Sequence, residues 1–198
     1  MARTVDPDRT AARREAITVA AGKLFAEQGF EGTTAAQIAR DAGLSSGSVF
    51  YYFADKRAVF RSIFERDIPV STALVERTST EPDPMAAVLT MVDELAEDAL
   101  LPYASGILVE LLRQVDKDPE LAEVVVTNAA IVHGGLTALI ERGIQTGAID
   151  TELAPDEAAA WIQTIVDSAY LNANPARDPR PMLRRIVSRF LAPTGEGS

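Results

Sequence analysis

The chain of 198 residues has no cysteine and only one histidine, His133. The lack of thiols excludes disulfides, thiolate metal sites and cysteine nucleophiles. A single imidazole excludes sites that need two. No run of about eighteen apolar residues occurs and the N-terminus has no apolar signal core, so no membrane-spanning segment is predicted and the cytoplasm is the expected location. Glu-x-x-His pairs and glycine-rich phosphate loops are missing too, so no catalysis, metal or cofactor is expected. Strand signals are also absent, which predicts an all-α fold.

What is present concentrates in residues 33 to 60, TTAAQIARDAGLSSGSVFYYFADKRAVF. Thr34 followed three residues later by Gln37 is a capping box, which starts a helix. Ala35, Ile38, Ala39 and Ala42 have the spacing of a one-sided helix. Gly43 stands where a left-handed residue ends a helix, with Leu44 as the apolar plug of the turn. Ser45 is placed to cap a second helix from 46 to about 52. Val49 and Phe53 point inward, leaving Ser46, Gly47, Ser48, Tyr51 and Tyr52 outward. Asp55 caps a further helix with Lys56 in its first turn. Two helices around a short glycine-containing turn make the motif whose second helix enters the major groove of DNA.

These residues, with 14–17 (REAI), 24–30 (LFAEQGF), 32–34 (GTT), 38–43 (IARDAG), 45–53 (SSGSVFYYF) and 55–56 (DK), resemble the TetR/AcrR family of bacterial transcriptional regulators. The resemblance covers about the first third of the chain. It implies that Thr34 and Lys56 anchor phosphates and that Ser46, Gly47, Ser48, Tyr51 and Tyr52 face the groove. Two positions depart from the family pattern. Phe50 stands where tyrosine is usual, so it is expected to pack inward, and Tyr52 stands where histidine is usual. Ala36 offers no long side chain to a base.

Net charge is −10, which looks wrong for a DNA binder until it is divided by position. Residues 1–60 hold eight Lys/Arg and seven Asp/Glu, a balance of +1; the remainder holds eleven and twenty-two, a balance of −11. The acidic excess therefore lies outside the proposed DNA head. Arg3, Arg9, Arg13 and Arg14 form either a basic arm reaching phosphates or the minor groove, or simply a solvated helix start.

Other helices follow from caps and stops. The first should span about 10–28, burying Ile17, Ala20, Ala21, Leu24 and Phe25, and stop at Gly29. The helix after Asp55 carries Val59, Phe60, Ile63 and Phe64 inward, and Pro69 predicts a kink or break near Ile68. Asp83–Pro84 and Asp118–Pro119–Glu120 are helix starts. Helices are predicted over 85–101, 105–115 with Ile107, Leu108, Leu111 and Leu112 buried, 118–145, 155–171 and 181–192. The tail, 193–198, is predicted to be disordered.

The last two helices look unsuited to a monomer. Trp161, Ile165 and Tyr170 on one, and Leu183, Ile186, Val187 and Phe190 on the other, form wide apolar faces that could pair across a two-fold axis or pack within one subunit. The final helix pair forms the dimer interface in the family, so the resemblance implies a homodimer. A small-molecule cavity is expected in the second domain. Its candidate polar lining is Tyr103, Gln114, Asn128, His133, Gln163 and Asp167, with Phe64, Leu108, Leu112 and Trp161 as walls, which would suit an apolar or aromatic effector.

The expectation is an all-α protein of about nine helices: residues 1–55 a helix-turn-helix DNA-binding domain, residues 56–198 an effector-binding and dimerisation domain. It should be a ligand-responsive regulator, a repressor released from a palindromic double-stranded operator by a small molecule. The competing classes are a helical-bundle enzyme and a ligand-binding or scaffold protein without DNA function.

Overall fold

Capping residues decide where most helices begin. In the computed structural model, residues 7–45, 47–174 and 176–194 are described. They form ten α-helices: α1 (Pro7–Gly32), α2 (Ala35–Asp41), α3 (Val49–Tyr52), α4 (Lys56–Glu65), α5 (Asp67–Ser79), α6 (Pro84–Leu95), α7 (Ala104–Gln114), α8 (Pro119–Gln145), α9 (Pro155–Leu171) and α10 (Arg180–Leu191). Short 3-10 turns occupy Glu97–Leu100 and Val115–Lys117, and no strand occurs among the described residues. The fold is all-α, with an N-terminal helix-turn-helix and a C-terminal helical part. Arg3, Ser46 and residues 195–198, named in the sequence expectations, lie outside the described residues.

The three aspartate caps act as the sequence predicts. Asp55 accepts from the Ala58 amide at 2.7 Å, and Asp83 accepts from Met85 and Ala86 at 2.9 and 3.2 Å. Asp118 accepts from Leu121 at 3.2 Å. Each ties down amides that a helix start leaves without intrahelical acceptors. Non-helical φ/ψ at Gly29 (φ 74°) interrupts α1 near its end.

Three helix expectations are corrected. The break expected near Ile68 falls at Arg66, between α4 and α5. The reason is positional: proline crowds the carbonyl four residues back, and four before Pro69 is Glu65, the last residue of α4. The helix predicted over 85–101 ends at Leu95 and continues as the 3-10 turn. On α7, Leu112 is 60% exposed instead of buried, while polar Glu110 and Gln114 are buried.

The chain divides into two compact units, Met1–Arg66 with Gly106–Val124, and Asp67–Ser105 with Val125–Ser198. The first has an aromatic centre. Phe25 stacks on Phe30 with centroids 5.5 Å apart, and both meet the Phe60 ring edge-on at 5.1 and 5.6 Å. Phe64 adds a further edge contact to Phe60 at 5.4 Å. Around these rings Ile17, Ala21, Ile38, Val49 and Val59 are fully buried, and the hydroxyls of Thr18 and Ser62 pair at 2.7 Å. α7 lies so close to α1 that a Cβ on Gly106 would sit 2.5 Å from the Ala26 carbonyl oxygen. Only glycine permits that approach. Arg61 then bridges Asp118 at 3.0 Å and Glu120 at 2.6 Å, tying α4 to the start of α8.

The core of the second unit is aliphatic: Leu74, Val88, Met91, Leu136, Ile140, Ile149, Ile162, Val187 and Leu191, with several alanines. Its polar clasps join segments far apart in sequence. Arg142 donates to the carbonyls of Ser79 and Glu81 at 2.5 Å each, and the Asp150 amide donates to Leu191 O at 3.0 Å. α8 is long and apolar enough to cross a membrane by length and composition. Asn128, His133 and Thr137 interrupt it, and Leu136, Leu139 and Ile140 are buried in the core of the second unit, while only 22% of its apolar window is buried.

Candidate DNA interface

The helix-turn-helix is built by local hydrogen bonds. Thr34 Oγ1 accepts from the Gln37 amide at 3.3 Å, while the Thr34 amide and hydroxyl both donate to Gln37 Oε1 at 2.8 and 2.7 Å. Gln37 Nε2 in turn donates to Gln28 Oε1 at 2.9 Å, fixing the start of α2 against α1. Gly43, at φ 67°, supplies the left-handed residue of the turn, and the Leu44 amide returns to Ala39 O at 2.8 Å. α3 is shorter than expected, starting at Val49. Ser45 does not cap it; its hydroxyl pairs with that of Ser48 at 2.6 Å.

α3 has one buried anchor, Val49, followed by buried Phe53. Tyr51 is 72% exposed and meets Tyr52 edge-on at 5.0 Å. Gly47 and Ser48 also face outward, although Ser48 is half-buried. Phe50 corrects its expectation: it is 55% exposed and does not pack inward. The outer surface of α3 is therefore aromatic and hydroxylated, with no charge among Val49–Tyr52.

Lys56, expected at a phosphate, and Arg14, expected in a basic arm or a solvated helix start, both have partners inside the head. Lys56 donates to Phe30 O at 2.7 Å and Thr33 O at 3.2 Å, and its ammonium lies 4.3 Å from the Phe30 ring centroid. That is a cation closing the negative end of α1, and it leaves one N–H for any phosphate. Arg14 donates to the Tyr52 carbonyl and lies 4.1 Å over the Phe53 ring, so it holds the end of α3 and is not a free arm. Neither clasp has a local sequence signal, because the partners are 26 and 38 residues away.

The expected effector residues divide between the two units. Phe64, Leu108, Leu112 and Gln114 belong to the first, where Gln114 is buried and donates to Glu110 Oε1 at 2.7 Å. Tyr103, Asn128, His133, Trp161, Gln163 and Asp167 belong to the second. There His133 places Nδ1 3.0 Å from Gln163 Oε1 and Nε2 2.8 Å from Asp156 Oδ1. Gln163 Nε2 donates to Ala129 O at 3.0 Å, which orients its amide so that the oxygen faces the ring. With acceptors on both nitrogens the imidazolium is the fitting form, and the bonds to Asp156 and Gln163 raise the His133 pKa above its usual 6.5. Asp167 is exposed on α9, yet the surrounding protein desolvates its carboxylate enough to raise its pKa. In the first unit, burial pushes the Asp118 pKa up, but the Leu121 amide and the Arg61 guanidinium outweigh it and hold the pKa below the usual range.

Of the expected dimer residues, Trp161 is 53% exposed, Ile186 is exposed, and Ile165 and Phe190 are half-buried. Leu183 and Val187 are corrected: they face inward and are buried in the core of the second unit. Tyr170 is corrected too, since its hydroxyl donates to Leu95 O at 2.6 Å inside that unit.

Known proteins share this arrangement. Residues 17–63 match the model for bacterial regulatory proteins of the tetR family. Residues 84–195, more than half of the chain, match that for the C-terminal part of BetI-type transcriptional repressors. The chain belongs to the TetR family. It is thus a DNA-binding transcriptional regulator of the repressor type, in a family of transcriptional regulators. The HTH-type transcriptional repressor Rv1474c of Mycobacterium tuberculosis is 24% identical over 176 residues, 89% of this chain and 90% of the relative. A TetR transcription regulator from Haloarcula marismortui shares the fold at TM-score 0.76 and 23% identity, over 91% of this chain and 97% of that one. The transcriptional regulator FadR of Bacillus subtilis, solved in complex with stearoyl-CoA, does so at 0.72 and 18%, over 89% and 98%.

Proposed function

We propose that this TetR-family chain is a homodimeric cytoplasmic repressor that reads a palindromic double-stranded operator and leaves it when a small apolar or aromatic effector binds. The observation that carries the reading is the uncharged outer surface of α3, with Gly47, Ser48 and Tyr51 outward on a scaffold held by the Thr34–Gln37 box and the Arg14 clasp. Residues 1–55 read DNA in this account, and 56–198 bind effector and dimerise. Phosphates are met at the start of α2 by Thr34 and by the remaining N–H of Lys56, and the groove by Ser46, Gly47, Ser48, Tyr51 and Tyr52.

Dimerisation is assigned to the outer faces of α9 and α10, where Trp161, Met182 and Ile186 are exposed. A two-fold dimer suits a palindrome, since two recognition helices about 34 Å apart read successive major grooves. Effector and operator would each favour a different conformation, and the coupling must be reciprocal. The test is selection of bound sequences from a random library, followed by gel shift with wild type and Tyr51→Ala. The expected result is a palindromic consensus whose shift the variant abolishes; a library that yields no consensus for wild type sinks the reading.

A further inference from the structure

α3 exposes a side chain that the reading above leaves without a role. Phe50 is 55% exposed on a four-residue helix, beside Tyr51. It makes no ring contact with Phe25, Phe30, Phe60 or Phe64, the rings that knit the interior of the head. The exposed Phe50 and Tyr51 rings form a contiguous aromatic patch, a surface that gains stabilisation when a partner covers it. Gly47, three residues upstream, points the same way. A Cβ built on it meets nothing within 4 Å. Packing inside the chain does not require glycine there, whereas a surface approaching closely from outside would.

We propose that Phe50 is a specificity-determining residue that reads thymine, its ring packing on the C5-methyl group at the major-groove edge. The inference rests on the proposed reading of α3 as the recognition helix. Phenylalanine has no donor or acceptor, so it neither anchors a phosphate nor reads a hydrogen-bonding edge. The apolar feature that base edges offer in the major groove is the thymine methyl. With Gly47 allowing the backbone to approach, the Phe50 ring comes within van der Waals range of the bases. Tyr51 and Ser48 keep the polar contacts. The contact neutralises no charge, so it contributes sequence preference without salt dependence.

The test uses the full-length protein and its selected operator, with each thymine replaced in turn by deoxyuridine, which removes the methyl group alone. Wild type should lose about fourfold in affinity at one thymine per half-site, the effect of one buried methyl. Phe50→Ala should bind more weakly with an unchanged melting temperature and salt slope, and should be indifferent to deoxyuridine at that thymine. Phe50→Leu, which keeps an apolar surface, should retain part of the penalty. If wild type shows no deoxyuridine penalty at any position, or Phe50→Ala keeps the full penalty, the assignment is overturned. Failure of wild type to select any DNA sequence would instead overturn the underlying reading of α3.

Discussion

The two units are held together by different chemistry. In the first, a cluster of phenylalanines packs edge-on and stacked, and two cations, Arg14 and Lys56, lie on the outer rings while binding carbonyls. Rings with fixed edge-to-face geometry and charged clasps leave few alternative packings. The second unit has an aliphatic and alanine-rich core with no aromatic ring fully inside it. The four buried side-chain polar atoms without a hydrogen bond in the protein, among the described residues, are also there: Asp93 Oδ1, Asn128 Oδ1, Thr137 Oγ1 and Arg142 Nε. Aliphatic cores repack at small cost when volume is kept. The unit that carries α3 is thus the more specifically packed, and the second unit the more tolerant of repacking.

The comparison is best broken at its extremes. The largest effect should come from the outside of the second unit: Trp161→Glu with Ile186→Glu should leave each fold intact but give a monomer by sedimentation. Operator affinity should then fall by about 100-fold or more, the usual scale of lost bivalency. A monomer that still binds with full affinity would refute the two-fold reading. Next, Phe60→Ala should destabilise the first unit by about 3–5 kcal/mol, whereas Ile140→Val in the second should cost about 1 kcal/mol. Denaturant melts followed by amide exchange in each unit would check both, and equal losses would erase the contrast between aromatic and aliphatic cores. Lys56→Met should cost about 2 kcal/mol, since it removes a charge-assisted bond to two carbonyls; a variant as stable as wild type would show that the clasp is dispensable.

The smallest effect should be pH-dependent. The His133 pKa is raised by Asp156 and Gln163 on α9, with the Ala129 carbonyl on α8 holding Gln163 in place. A raised folded pKa means that the stabilisation is complete below about 6.5 and is lost as pH climbs through the raised value. The melting temperature of wild type should therefore exceed that of His133→Gln at acid pH and converge on it at alkaline pH. A constant difference across that window would show that the histidine does not titrate in this arrangement.

Helix starts were legible because they are written within four residues: Thr34 with Gln37, Asp55 with Ala58, and Asp118 with Leu121 use contacts the chain makes with its nearest neighbours. Facing is another matter. Leu183 and Val187 look like any apolar stripe residues until the core of the second unit claims them, and Phe50 reads as packing until Val49 and Phe53 are seen to suffice. The clasps of Arg14 and Lys56 could not be read in advance because their carbonyl partners lie 38 and 26 residues away, beyond any local pattern. The composition of the outer surface of α3 was therefore legible, but not which nearby charges are already paired.

The interruption at Arg66 also bears on how the molecule opens. Proline brings no amide to the Glu65 carbonyl, so the hydrogen-bond ladder does not run unbroken from Lys56 to Ser79. Fraying that starts in one helix is not passed to the next through shared backbone bonds. The amide protons of α4 and α5 should then exchange with separate opening free energies, as members of two cooperative units and not one. A proline three residues past the seam is enough to make one stretch of chain report on two independent equilibria.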